Sequence, residues 1–256
     1  MPVIYLGLIG SLVAGSATGI GAIPILFVKN INKRIQGIML GFGAGVMLAA
    51  TSFSLIIPGI EAAFSQTGSN VYAAGILVAA IMLGGVFLAL SHKYLPHEHF
   101  IKGAEGNSEN LKRIWLFVLA ITIHNFPEGL AVGVSFGGEN LSNGIALSLG
   151  IGLQNIPEGF VVAVALLGER YSKLAAFGVA LMTGLVEPIG GLIGAGLVAI
   201  AQSILPWAMG FAAGAMLFVI SDEIIPESHS LGHEKEATLG VMVGFVVMMF
   251  LDVTLG

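Results

Sequence analysis

Long apolar runs separated by short polar connections dominate the chain. Windows of about 20 apolar residues, enough for a helix to cross the hydrocarbon of a bilayer, recur at about 3–28, 37–58, 71–91, 115–136, 144–167, 174–201, 205–226 and 237–255. The pattern predicts an all-α membrane protein with eight transmembrane helices, residues 1–256 forming one integral membrane domain. The longest polar interval, 92–114, is expected to be a loop between spans three and four. Two apolar runs carry a polar cassette at mid-length. ITIHNFPEGLAVGVSF holds His124, Asn125, Pro127, Glu128 and Gly129, and GLQNIPEGFVVAVAL holds Gln154, Asn155, Pro157, Glu158 and Gly159.

Composition sharpens this picture. Of 256 residues, 56% are hydrophobic and only 10% charged, far from the roughly 25% charged of a soluble domain. Mean hydropathy is +0.95. The 37 glycines are scattered, and spacings such as Gly37, Gly41, Gly45 suit helices packed backbone to backbone. Gly-rich faces also leave room for a homodimer. Cysteine is absent, which excludes disulfides, thiolate metal sites and cysteine catalysis. The first apolar run lacks a basic flank and exceeds a signal peptide's core, so it is expected to be a retained helix.

All ten lysines and arginines fall in alternate connections, after spans one, three, five and seven. The positive-inside rule makes those connections cytoplasmic, including 92–114, and puts both termini on the extracytoplasmic side. Aligning residue n with n + 169 superposes Gly15 on Gly184, Gly21 on Gly190, Gly45 on Gly214 and Thr18 on Glu187. GFGAGVML then meets GFAAGAML, and a one-residue slip aligns SLIIPGIE with DEIIPESH. Because span two runs opposite to span seven, this predicts an inverted repeat in which spans 1–3 match 6–8 and span 4 matches 5. Such repeats place the substrate near the midplane.

On a helix, His124 lies one turn before Glu128 and Gln154 one turn before Glu158. Pro127 and Pro157 deprive the carbonyls of Ile123 and Leu153 of helical partners, so a kink is expected in each span. Glu187, followed by Pro188, brings a third carboxylate to the same depth. Carboxylates in hydrocarbon are costly and demand partners, yet the predicted spans contain no lysine or arginine. A divalent cation from solution answers that demand. Imidazole with carboxylate and carbonyl oxygens suits Zn²⁺, Fe²⁺, Mn²⁺, Co²⁺ or Cd²⁺, whereas an all-oxygen set would point to Mg²⁺ or Ca²⁺.

The eight-span plan, HNFPEG in span four and QNIPEG in span five resemble the ZIP family of divalent metal transporters, especially its prokaryotic GufA-like branch. The resemblance covers nearly the whole chain. It implies a binuclear site, with His124, Glu128, Gln154, Glu158 and Glu187 around one metal and Asn125, Asn155 and the bridging glutamates around the other. It also implies metal movement toward the cytoplasm across a prokaryotic cell membrane. Many members carry His where this chain has Gln154, and some carry Asp at the Asn155 position.

Polar residues off the midplane outline a path. Asp222 and Glu223 head an expected exit, with Glu227, His229 and His233 beyond, while Ser52, Ser54 and Glu61 suggest an entrance. Thr18, as the Glu187 counterpart, is expected near the cavity, and Asp252 has no evident partner. His92, His97 and His99 in the 92–114 loop could bind metal but read equally as a solvated segment. The expected function is a secondary transporter whose partners are divalent metal ions and the bilayer, with no catalytic cofactor and no nucleic acid. A channel-like conductor would use the same ligands. An intramembrane metallohydrolase is disfavoured, since HExxH is absent and only one histidine lies within a span.

Overall fold

The computed structural model of the chain describes residues 2–27, 32–94, 97–99, 103–105, 113–138, 141–168 and 171–255. Several side chains within these ranges, including those of His92, His97, His99 and His124, lie outside the description. Eleven helices make up the described membrane-plane structure. The first five are α1 (Val3–Ala22), α2 (Lys33–Ala50), α3 (Ile57–Thr67), α4 (Asn70–Tyr94) and α5 (Arg113–Ser135). They are followed by α6 (Leu141–Gly168), α7 (Lys173–Gly184), α8 (Glu187–Ile200), α9 (Leu205–Val219), α10 (Ile225–Ser230) and α11 (Glu234–Leu255).

Seven helical rods among the described residues, counted across short turns, are long and apolar enough to span a membrane. The eighth expected span is α5, whose 23 residues extend about 35 Å at a 1.5 Å rise. The apolar windows and the rods coincide closely. The largest difference is span two, which runs from Lys33 to Thr67, well past both ends of its window, because polar Asn32 caps its start. The Asn32 side chain accepts from the Arg34 amide at 2.9 Å, supplying the first turn's missing acceptor. Gly68, at φ 66°, ends α3 in the left-handed conformation that favours glycine.

One departure from an all-α chain lies between spans three and four. Helix α4 continues to Tyr94, and His97–His99 (β1) pairs antiparallel with Gly103–Glu105 (β2), His97 opposite Glu105. The expected 92–114 loop thus contains a short hairpin among its described residues.

Changes of helix type fall near prolines other than those of the two cassettes. Helices α5 and α6 run through Pro127 and Pro157 without interruption. Span six breaks instead: Leu185 and Val186 separate α7 from α8, so Glu187 becomes the first residue of α8, with Pro188 beside it. Spans two and seven each contain a π-turn, Thr51–Ile56 before Pro58 and Ile220–Ile224 before Pro226. The wider i→i+5 turn accommodates a proline that has no N–H to donate.

Packing divides the bundle into one four-span unit and two flanking pairs. Helices α1, α5, α6 and the α7–α8 rod pack on one another, whereas α2 lies along α11 and α4 along α9. Helices α2 and α9 join the pairs to α6 and α5. The outer faces of α4 and α11 expose apolar side chains such as Met82, Phe87, Met242 and Phe250, as a lipid-facing surface requires. Charged contacts gather at one end of the bundle, where Arg34 meets Glu236 at 3.2 Å and Lys173 donates to the Leu26 carbonyl at 2.7 Å.

Candidate metal centre

Close backbone contact brings the polar residues together. A methyl group on Gly129 would overlap the carbonyl of Glu187, and one on Gly159 would overlap the carbonyl of Thr18. The glycine that ends each Pro–Glu–Gly phrase therefore lets α8 press against α5 and α1 against α6. With those backbones in contact, Glu128, Glu158 and Glu187 converge in the interior, all three buried.

Two amides join them. Gln154 Nε2 donates to Glu128 Oε1 at 2.6 Å and to Asn155 Oδ1 at 2.5 Å, with Glu158 Oε2 at 3.4 Å. Asn155 Nδ2 donates to Glu187 Oε1 at 2.6 Å and to the Ala14 carbonyl at 2.8 Å. A single chain of hydrogen bonds thus connects carboxylates from α5, α6 and α8. Asn125 is fully buried, and neither its Nδ2 nor its Oδ1 has a hydrogen-bond partner among the described residues. Thr18 Oγ1 is likewise buried without a partner among them.

Three oxygens surround the Gln154 nitrogen, which has only two hydrogens. An oxygen-rich point of this kind suits a cation as well as it suits an N–H donor. The anions are spaced by amides, and no group of three His, Cys, Asp or Glu side chains closes on one point among the described residues. His124 stands on α5 one turn before Glu128, but its side chain is outside the described set, as are those of the loop histidines.

The off-centre residues sort themselves by cavity. A narrow cavity beside Gln154, Pro157 and Glu158 is walled by Gly43, Ile224 and Glu227. Its walls Leu40, Val161 and Glu227 also line a second cavity that reaches Lys33, Gln36 and Ser230 at the charged end. Glu227 therefore borders both cavities. Asp222 lines a different groove, between α4 and α9, with Ser221, Gly85 and Gly214. Glu223 is buried on the π-turn. His229 Nε2 lies 3.2 Å from Thr238 Oγ1, and His233 lies 3.9 Å from Glu236.

At the opposite end, Glu61 shares a pocket with Gln66, Asn143 and Gln202. That pocket is floored by Leu205 and Met209, members of the main apolar cluster with Met47, Leu130 and Ile151. Ser52 bonds the Leu48 carbonyl at 2.9 Å, as span hydroxyls commonly do. Ser54 donates instead to Asp252 Oδ1 at 2.5 Å. Asp252, for which the sequence offers no partner, thus acquires one from 198 residues away. No local pattern signals that contact. The contact of Asn155 with the Ala14 carbonyl and the place of Lys33 in the outer cavity wall also escape sequence reasoning, since a backbone atom and a span-end lysine carry no motif.

A helical membrane protein with a buried carboxylate–amide centre belongs to a class suited to handling cations. The comparisons are specific about which. Residues 91–252 match the profile of the family described as ZIP Zinc transporter. Zinc transporter GufA of Myxococcus xanthus is 48% identical over 251 residues, covering 98% of this chain and 99% of the relative. Zinc transporter ZIPB of Bordetella bronchiseptica is 44% identical over 249 residues, covering 97% and 81% respectively. Zinc transporter ZIP11 of Homo sapiens is 34% identical over 335 residues, covering 99% and 98%. This chain is a member of the ZIP family, on its prokaryotic side.

Proposed function

We propose that this protein carries divalent transition-metal cations, zinc foremost, into the cytoplasm by alternating access around the α5–α6–α8 centre. The observation that carries the reading is the convergence of Glu128, Glu158 and Glu187 through the Gln154 and Asn155 amides, in apolar windows (115–136, 144–167 and 174–201) that contain no lysine or arginine. In this reading Glu128, Gln154, Glu158, Glu187 and His124 hold one cation. Asn125 and Asn155, with the bridging glutamates, hold a second, and the Asn125 amide, which has no hydrogen-bond partner among the described residues, is the donor left over for it. Zinc, iron, manganese, cobalt and cadmium all suit such nitrogen and oxygen donors.

The direction follows from charge and cavities. The route past Glu227 ends among Lys33, Gln36 and Ser230, on the lysine- and arginine-bearing side that the positive-inside rule makes cytoplasmic. Residues 92–114 lie on that side too, and both termini lie outside. In this reading Glu61, with the Ser54–Asp252 pair, belongs to the entrance, whose pocket also has Met209 in its wall.

The inverted repeat gains support from matched packing. Pairs α2–α11 and α9–α4 correspond, as do α1–α6 and α8–α5. Gly21 abuts the Ile156 carbonyl as Gly190 abuts that of Phe126, and Gly45 abuts Val241 as Gly214 abuts Ile81. The six-residue π-turn in span two against five residues in span seven accounts for the one-residue slip in the alignment. A pseudo-twofold relation of this kind gives a carrier two exchangeable arrangements.

Radiozinc uptake into proteoliposomes, with a panel of competing divalent cations and with either sign of pH gradient, tests transport, selectivity and coupling together. Saturable uptake competed by cadmium or iron is expected. A protein that binds no transition metal and transports none removes the reading.

A further inference from the structure

The Gln154 side chain does something a plain ligand need not do. Its nitrogen lies within hydrogen-bond reach of oxygens from Glu128, Asn155 and Glu158, at the point where those three residues converge. A transition metal bound by the same oxygens would sit about 2.0–2.2 Å from each. The N–H donor and the cation therefore compete for one place. The amide has a second face to offer. Gln154 Oε1 lies on the Gly43 side of the site, where an added Cβ would stand 3.5 Å from it, and Gly43 lines the cavity shared with Glu158. The terminal torsion of glutamine is soft and roughly twofold, and amide nitrogen and oxygen are nearly the same size. A half-turn there exchanges donor for acceptor without moving the helix.

We propose that the Gln154 amide is a built-in stand-in for the cargo: its N–H faces the carboxylates between cargoes, and its oxygen turns to them with a cation. This deepens, and rests on, the transport reading above. The physical need is plain. A carrier that returns unloaded buries carboxylates that would repel one another and forgo solvation, and every lysine and arginine lies toward the span ends or in the connections, away from the mid-span apolar windows. A neutral amide supplies donors to the glutamates without adding a charge that would expel the metal.

Loss of the donor should therefore penalise the unloaded return more than the loaded crossing. Net radiozinc uptake into zinc-free proteoliposomes requires that return, whereas exchange against zinc-loaded vesicles does not. In Gln154→Glu, which keeps oxygen ligands and removes the N–H donors, the ratio of net uptake to exchange should fall roughly tenfold or more, the scale of a lost hydrogen bond to a charged group. Gln154→His, which retains one N–H and one ligating nitrogen, should keep the ratio within about twofold. An unchanged ratio in Gln154→Glu overturns the proposal. Wild-type protein inactive in both modes overturns the transport reading instead.

If Gln154→Glu is inactive in both modes, the wild type decides. The chain has four glutamines, at 36, 66, 154 and 202, so side-chain ¹⁵N labelling gives few signals. Saturating zinc should move the Gln154 NH₂ protons away from their strongly hydrogen-bonded position. Protons that keep that position at saturation overturn the proposal.

Discussion

Asn125 and Asn155 stand at matching places in HNFPEG and QNIPEG, both fully buried, yet their surroundings differ. Asn155 holds the Ala14 carbonyl with one N–H and Glu187 with the other. Asn125 has no hydrogen-bond partner among the described residues. The difference arises in the helices they face. Glycine presses α6 onto the Thr18 carbonyl and α5 onto the Glu187 carbonyl, so equivalent contacts present a hydroxyl on one side and a carboxylate on the other. Two copies of one phrase therefore make a lopsided centre, with the third carboxylate drawn toward the α6 amide.

The largest test of that asymmetry is removal of an α6 carboxylate. Glu158→Ala should lower radiozinc uptake by about a hundredfold or to background, in line with breaking a buried charged network. Glu61→Ala, in the pocket at the far end, should cost only a few-fold. Equal losses would show that the centre matters no more than the far pocket.

The asparagines can be compared directly. Asn155→Leu should reduce thermal stability by about 1–3 kcal/mol, because Glu187 and the Ala14 carbonyl lose a buried donor. Asn125→Leu removes a buried amide that has no hydrogen-bond partner among the described residues, so stability should hold or rise while zinc-induced stabilisation shrinks. Unfolding in detergent with and without zinc separates the two. A large destabilisation in Asn125→Leu would mean that this amide is already structurally engaged.

Helix contact gives a parallel contrast at similar scale. Gly159→Ala drives a methyl into the Thr18 carbonyl and should cost about 1–3 kcal/mol by overpacking. Gly178→Ala, on α7 with nothing within 4 Å of the added atom, should stay within about 0.5 kcal/mol. The smallest effect is expected from Arg34→Ala. Its exposed bond to Glu236 is worth under about 1 kcal/mol and should fade with salt, leaving uptake close to wild type.

What the sequence determined by itself was local or one-dimensional. Span positions follow from runs of apolar residues, because the bilayer demands a fixed length of helix. The depth of Glu128, Glu158 and Glu187 follows from counting along those runs. The repeat in composition is visible because glycine spacing survives in the chain itself. Tertiary structure decided the rest. Span six breaks before Glu187 while α5 and α6 continue through their prolines, since packing around a proline determines whether its helix is interrupted. Asp222 and Glu223 head the expected exit path, yet Glu227 borders the cavity from the centre and Asp222 faces α4. Each step along a helix turns a side chain by about 100°, and a π-turn alters that phase, so neighbours in sequence look in different directions. Whether an amide offers its nitrogen or its oxygen to a carboxylate depends on atoms from helices brought together only by folding. That choice, at Gln154, was never written in the spacing of residues.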